Sequence, residues 1–176
     1  MKVKAYIYKY VAWMMTLLML PLCSDCIPSV KLNGSAINYD IYHTIHISEF
    51  PIRAALVYPP LQQTFENALL DAVARQTRLQ TTDGPADLDI SGEITGYSLS
   101  PQAVGENAYA TQTRLTITVK VKYTDATNSA NNMESTFSAY RDFDSSVMLT
   151  DVQDDLCTEI SKELVDLIFN ATLGNW

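Results

Sequence analysis

Two cysteines near the start of the sequence are the residues best suited to covalent chemistry. Cys23 and Cys26 lie three positions apart, directly after an apolar run that ends with MTLLMLPL at residues 15–22. A thiol in this position can carry an acyl chain, form a disulfide with its neighbour or stay free. Cys157 is the one other cysteine, and an odd total fits a disulfide framework poorly. The pattern therefore favours acylation of one of the two thiols.

The residues before the cysteines have the pattern of an export signal. Residues 1–9 carry three lysines and no acid, and residues 11–22 are uncharged and largely apolar. This run is too short to span a bilayer, which takes about 20 apolar residues. A leucine-rich run that stops at a cysteine resembles the lipobox of bacterial lipoproteins, in which the cysteine is acylated and the signal is removed. We therefore predict a signal peptide over 1–22, with cleavage as late as 25 as the alternative.

The lipobox pattern leaves both cysteines open as the acylated residue. Cys23 has the favoured Leu20 three residues before it, but Leu22 stands where a small residue is usual. Cys26 follows the sequence CSD, which is a poorer match. Several acyl chains, at about 0.8 kcal/mol per buried methylene, would hold the chain durably at a membrane.

Side chains that could bind a metal or transfer a proton form no recognised motif. The sequence contains no G-x-S-x-G, no H-E-x-x-H, no Walker loop and no dinucleotide-binding glycine motif. His43 and His46 are three apart on a predicted strand and so point to opposite faces. Asp83, Asp87 and Asp89 lack the further oxygen ligands of a calcium loop. We predict that the protein is not an enzyme and that it binds no metal and no cofactor.

The charge balance argues against a nucleic-acid partner. The chain carries 12 basic and 20 acidic residues, and loss of residues 1–22 would remove three of the lysines. Binding to phosphates needs a basic footprint. The one concentrated basic patch is Arg114, Lys120 and Lys122, which alternate with apolar residues along a predicted strand. These three form either an ordinary solvated sheet face or a contact for an anionic group such as a lipid phosphate.

Apolar periodicity predicts the elements that position these residues. Alternation predicts strands over 42–48, 114–123 and 133–143, and a further strand that begins at Leu88. The alternation of that further strand shifts by one residue at Gly96, which indicates a β-bulge. Residues 98–110 are expected to be a long loop, a kind that is often functional or disordered.

Two amphipathic helices complete the pattern. The first covers about 60–77, after two prolines, and the second runs to about Thr172. Thr150 and Gln153 have the spacing of a capping box at the start of the second helix. Cys157 lies beside the apolar stripe of this helix and is expected to be a buried, unreactive thiol.

The element order is strand, helix, three strands, helix. It predicts an α+β two-layer sandwich, in which a four-stranded, mainly antiparallel sheet carries two helices on one face. We assign a single domain to residues 41–176 and a polar, turn-rich tether to residues 23–40. The mature protein is then a water-soluble body held at a membrane by its lipid.

Six short sequence motifs, which together cover nearly all of the mature chain, follow one another in this order: NGSAI (33–37), FPIRAALVYPPLQQTF (50–65), RQTRL (75–79), GEITGYSLSP (92–101), TRLTITVKVKYT (113–124) and IFNATLGNW (168–176). The ordered set resembles LptE, the lipopolysaccharide-assembly lipoprotein family, in the form found in Bacteroides-like bacteria. In that family, the spacing from the acylated cysteine to an Asn-Gly motif resembles the spacing from Cys26 to Asn33, which favours Cys26 over Cys23.

The resemblance implies a non-enzymatic lipoprotein of the outer membrane. Members of the family sit inside the β-barrel LptD as plug and assembly partner, and help lipopolysaccharide reach the cell surface. In distant relatives, basic residues are linked to lipopolysaccharide binding; Arg114, Lys120 and Lys122 come instead from strand alternation in this sequence. Two other classes stay open: a lipoprotein adaptor or activator of another periplasmic envelope enzyme, and a secreted enzyme or inhibitor, which would need a deep pocket with convergent polar groups.

Overall fold

Five strands and two helices follow one another along the chain. The computed structural model describes residues 37–103 and 110–174. The predicted signal peptide, Cys23, Cys26 and most of the predicted tether lie outside these ranges. The elements are β1 (Thr44–Ile47), α1 (Pro60–Gln76), β2 (Gln80–Thr81), β3 (Leu88–Ala103), β4 (Ala110–Asp125), β5 (Met133–Asp144) and α2 (Leu149–Thr172), with a short 3-10 turn at Ser129–Asn131.

The sheet has the strand order β2-β1-β3-β4-β5. The long pairs β3–β4 and β4–β5 are antiparallel, whereas the short strand β1 pairs in parallel with both β2 and β3. The α+β class with two helices on one face is confirmed. The expected strand count was one too low, because β2 consists only of Gln80 and Thr81. Two residues carry no detectable alternation, so this strand is defined only by its pairing with β1.

The core lies between the helices and the inward face of the sheet. Strand β4 shows the alternation that its sequence predicts, and its apolar residues at alternate positions are almost fully buried. They pack against the apolar stripes of both helices. The central members of this core are Ile45, Phe50, Leu61, Phe65, Leu69, Leu88, Ile90, Ile94, Leu115, Ile117, Val119, Val121, Ile160, Leu164 and Ile168.

Strand β3 contains both the expected bulge and a tight glycine contact. The register with β4 shifts between Ile94 and Gly96, as the change in alternation predicts. Gly92 faces the core, where a Cβ atom would lie 2.2 Å from the backbone oxygen of Lys120 and 2.6 Å from the ring of Phe50. Glycine at position 92 therefore allows strand β4 and the Phe50 ring to pack against β3 at the same point.

The β3–β4 hairpin is longer than expected. Residues 98–103 were expected to belong to a loop, but they continue β3 and pair with β4; Pro101, for example, lies opposite Thr113. Strand β1 ends at Ile47 and an isolated bridge joins Ile52 to Ile94, so this part of β3 lies beyond its parallel neighbour. A proline is tolerated there because no second strand needs its missing N–H group.

The second helix begins without the expected capping box. Helix α2 starts at Leu149 after Met148, and no side chain caps it. The hydroxyl of Thr150 bonds the Asp151 carboxylate, and the amide of Gln153 donates to the Tyr97 hydroxyl at 2.6 Å. The capping-box prediction was therefore wrong, because the tertiary contact with Tyr97 takes the side chain of Gln153.

The two ends of the sandwich are held by different contacts. We call the end where the described chain begins the tether end, and the end formed by the β3–β4 hairpin and the start of α2 the hairpin end. At the tether end Tyr42 is buried, and so is Ile37, which was assigned to the tether but packs into the domain. The Tyr42 hydroxyl donates to Asp125, which ends β4, at 2.8 Å.

The Asp125 carboxylate is the centre of the tether end. It is 2% exposed and accepts hydrogen bonds from the Asn131 amide and from the backbone N–H groups of Thr127 and Asn128, all at 2.8 Å, in addition to the bond from Tyr42. Burial alone would raise the pKa of Asp125. The hydrogen bonds to the charged form outweigh burial and lower the pKa.

We expect Gly92→Ala to destabilise the protein by about 1–3 kcal/mol, the usual range for overpacking a core. The new methyl group meets backbone and a buried ring, neither of which moves easily. Urea unfolding of the purified protein measures the change. Gly84→Ala is the matched control, since its Cβ atom would meet nothing closer than 3.9 Å. Equal effects at the two positions would contradict the packing described for Gly92.

We expect Asp125→Asn to cost about 2 kcal/mol at neutral pH, within the range for hydrogen bonds to charged groups. Because the pKa of Asp125 is lowered in the folded state, its contribution is complete above the unfolded pKa, about 4, and is lost as the pH falls through the folded value. Unfolding free energies at pH 7 and pH 3 should therefore differ less in the variant than in the unmodified protein. An identical pH dependence in both would exclude this role.

Candidate functional site

The sheet face opposite the helices is the best candidate for a functional surface. We call it the outer face. It carries the polar residues that alternate with the core residues of β3, β4 and β5, and these are exposed or half-buried. The register aligns them in rows across the three strands: Ser91–Lys122–Glu134, Glu93–Lys120–Thr136, Gly96–Thr118–Ser138, Ser98–Thr116–Tyr140 and Ser100–Arg114–Asp142.

Arg114 lies in a fixed environment toward the hairpin end. Its Nε and Nη2 donate to the two carboxylate oxygens of Asp142, at 2.7 and 2.8 Å. Its guanidinium carbon lies 3.7 Å from the centre of the Tyr140 ring. The pair raises the pKa of Arg114 and lowers the pKa of Asp142. Bidentate pairing and stacking both need the planar guanidinium, so this site is specific for arginine.

Lys120 and Lys122 lie toward the tether end of the same face. The Lys120 ammonium is 2.5 Å from a Glu134 oxygen. This contact raises the pKa of Lys120 and lowers the pKa of Glu134. The charge of Lys122 lowers the pKa of Glu134 further. A shallow depression of about 260 Å³ lies between these side chains, and it is lined by Ser91, Gly92, Glu93, Lys120, Lys122 and Glu134.

The three basic residues share a face, but they do not form one patch. Six residues separate Arg114 from Lys120, which is about 20 Å along a strand. Arg114 and Lys120 each have an acidic partner on β5, whereas Lys122 has no ion pair within 4.0 Å among the residues that the structure describes. An anion contact at these residues stays a prediction. Of the three side chains, Lys122 is the one best able to bind an added anion, because it has no acidic partner among the described residues. The acids were identifiable from the alternation of β5, which places Glu134 and Asp142 on the same face.

The other chemical candidates have structural partners. His46 Nδ1 is 2.7 Å from Asp89, and the Ser48 hydroxyl is 3.5 Å from the same nitrogen. A catalytic triad needs serine and acid on opposite ring nitrogens, so these three residues lack triad geometry. Asp87 accepts from the N–H groups of His43 and Thr44 and from the Thr44 hydroxyl. These bonds lower the pKa of Asp87 and tie the start of β3 to the residues that begin β1.

The described acids and histidines form no metal-binding cluster, and the described cysteine is buried. Across residues 37–103 and 110–174, no three metal-binding side chains converge on one point. Cys157 is 1% exposed, and burial raises the pKa of its thiol to about 11. The expected buried position of Cys157 is confirmed, and its thiolate is disfavoured at neutral pH. Within the described ranges, no helix is both long and apolar enough to cross a bilayer.

The fold and the outer face together define a small two-layer α+β domain that presents a polar sheet surface. The chain belongs to the LptE family: the profile of that family, described as lipopolysaccharide assembly, matches residues 42–172. The match confirms the family that the six sequence motifs indicated. No curated protein matches the sequence.

Solved structures with low sequence identity share the fold. A hypothetical protein from Chlamydia trachomatis matches with a TM-score of 0.52 and 10% identity, over 76% of this chain and 99% of its own. A protein from Xanthomonas campestris matches with a TM-score of 0.52 and 12% identity, over 75% of this chain and 85% of its own. The rare lipoprotein B of Shewanella oneidensis has a TM-score of 0.47 and 11% identity, over 72% of this chain and 92% of its own, and this score is too low to support a shared fold. At these identities the likeness concerns the fold alone.

If the outer face contacts an anionic group, Lys122→Gln should weaken binding of the protein to lipopolysaccharide more than Lys120→Gln does. The reason is that Lys120 is already paired with Glu134. Equilibrium binding at low and moderate salt measures the effect, and the salt dependence should be smaller in the Lys122 variant. Lys162→Gln, on an exposed position of α2, is the control. Equal binding by all three variants would remove the outer face from consideration as an anion site.

Proposed function

We propose that this protein is a lipid-anchored outer-membrane lipoprotein that occupies the lumen of an LptD-type β-barrel. There it supports assembly of the barrel and transport of lipopolysaccharide to the cell surface. The observation that carries the proposal is membership of the LptE family over residues 42–172. The protein acts by binding, and no bond is made or broken.

The outer face supports the proposal through its charge pattern. The lumen of a membrane barrel is polar. A surface that lies against such a wall is expected to be polar. On the outer face, hydroxyl groups from β3, β4 and β5 alternate with basic residues, two of which have acidic partners within the sheet. Such a surface can form hydrogen bonds to a polar wall and needs few counter-charges from it.

The chain direction supports an anchor at the tether end. The described chain begins at Ile37, 11 residues after Cys26, and Tyr42 is fixed there by its bond to Asp125. Eleven residues reach at most about 40 Å when fully extended. An acyl group on Cys26 or Cys23 then holds the domain close to the inner leaflet of the outer membrane, next to the mouth of a barrel.

We expect the full-length protein, carrying a C-terminal affinity tag, to co-purify in detergent with a large outer-membrane β-barrel and to incorporate labelled palmitate. Cys26→Ala and Cys23→Ala, made separately, identify the acylated thiol, because one variant should lose the label and reach the outer membrane poorly. The other variant is the matched control. Repeated capture of a soluble periplasmic protein in place of a barrel would favour the adaptor or activator function instead.

A further inference from the structure

Five exposed, large apolar side chains belong to segments that meet at the hairpin end. Met148 is 69% exposed, Val57 62% and Leu56 54%; Leu99 and Val147 are less exposed, at 39% and 38%. They come from three separate segments: the loop before α1, strand β3, and the turn between β5 and α2. Single exposed apolar residues are normal, but a group of them at one end of a small domain marks an interaction surface.

Specific contacts hold the three segments next to one another. Leu56 and Val57 directly precede Tyr58, whose hydroxyl donates to the Asp154 carboxylate of α2. The Tyr58 and Tyr97 ring centres are 6.4 Å apart, and Tyr97 accepts a hydrogen bond from Gln153. The hydroxyls of Thr113 and Ser145 are 3.0 Å apart, which joins the hairpin to the turn before α2. We call the surface formed by Leu56, Val57, Leu99, Val147 and Met148 the apolar rim.

The segments that carry the apolar rim contain more acidic than basic residues. The segments 53–58, 97–102 and 143–155 contain Arg53 as their one basic residue. The same segments contain four acidic residues, and all four are exposed: Asp144, Asp151, Asp154 and Asp155. A surface that covers the rim must therefore match apolar groups at the centre and negative charge around them. Anionic lipid headgroups fit this pattern badly, whereas a protein surface with apolar side chains bordered by lysine or arginine fits it well.

The apolar rim also lies far from the point where the chain enters the domain. Helix α2 has 24 residues and runs from the rim to the tether end, where Thr172 lines the same depression as Asn38 and Tyr42. At 1.5 Å per residue, this separation is about 36 Å. The described chain therefore begins at the end of the domain opposite the rim.

We propose that the apolar rim is a second surface through which this domain contacts its β-barrel partner, in addition to the outer face, and that it binds an apolar patch bordered by basic residues. This inference rests on the proposed function and goes beyond it by naming the contacting end of the domain and the chemistry of the partner surface.

Site-specific photo-crosslinking in cells tests the docking surface. A photoreactive phenylalanine analogue replaces Val57 or Met148 in the tagged full-length protein. Leu70 and Leu167 are the control positions, since they are exposed apolar residues on the helices, at 38% and 41%. We expect crosslinks to the barrel from positions 57 and 148, and at least about fivefold less from positions 70 and 167. Equal crosslinking at all four positions, or crosslinks from the controls alone, would overturn the inference.

Charge substitution gives a second, independent readout. Asp155→Lys should slow capture of the barrel several-fold, since it opposes the basic border proposed for the partner; Asp166→Lys, equally exposed but distant along α2, should not. Binding to vesicles of phosphatidylethanolamine and phosphatidylglycerol is measured in parallel. If Val57→Ser with Met148→Ser abolishes vesicle binding but leaves barrel capture unchanged, the rim binds membrane and the inference is wrong.

Barrel capture by the unmodified protein and by the rim variants distinguishes failure of the proposed function from failure of the rim inference. If the unmodified protein captures no barrel, the proposed function fails and the rim loses its partner. If the unmodified protein captures the barrel and the rim variants capture it equally well, the function stands and the rim inference fails. Leu70→Ser with Leu167→Ser serves as the matched control for loss of exposed apolar area.

Discussion

Strand β4 is the constraint on which the rest of this structure depends. Its alternation divides the sheet into an apolar side, from Leu115 to Tyr123, and a polar side, from Arg114 to Lys122. The apolar side has to be covered, and the two helices do so with their buried stripes. The polar side is left for other contacts. Because β4 pairs with both β3 and β5, its register also fixes which residues of those strands meet on each face.

The outer face shows how an acidic protein can carry basic residues without forming a basic patch. Arg114 and Lys120 meet acids on the neighbouring strand, so most of their charge is neutralised within the sheet. Exposed ion pairs of this kind add little to stability. Their main effect here is to set the character of the surface, which is rich in hydroxyl groups and nearly balanced in charge. The hairpin end, in contrast, combines exposed apolar side chains with several exposed acids, so the domain has two surfaces of different chemistry.

Patterns that repeat along the chain were predictable, and features created by tertiary contact were not. The alternation of β4, the bulge at Gly96 and the burial of Cys157 all follow from local periodicity. Strand β2 could not be predicted, since two residues have no period. The start of α2 was misread because Gln153, which has capping-box spacing, bonds Tyr97 across the fold instead.

The same distinction applies to the candidate site. Strand alternation placed Arg114, Lys120 and Lys122 on one face correctly. It did not indicate that Asp142 and Glu134 would neutralise two of them, because that depends on the register between β4 and β5. The apolar rim was not foreseen at all. Its residues come from three segments that are distant in sequence, and their exposure is visible only when the fold brings them together.

The parallel pairing of β1 with β3 has a mechanical consequence for force applied where the described chain begins. The chain leads from the tether end directly into β1, whose hydrogen bonds to β2 and β3 lie across the strand direction. A force on Ile37 directed along β1 would therefore load these bonds together, in shear, and would not peel them apart one by one. The Tyr42–Asp125 bond lies before β1 and would be the first to bear such a load. Force in this direction meets the strongest resistance that a sheet can offer.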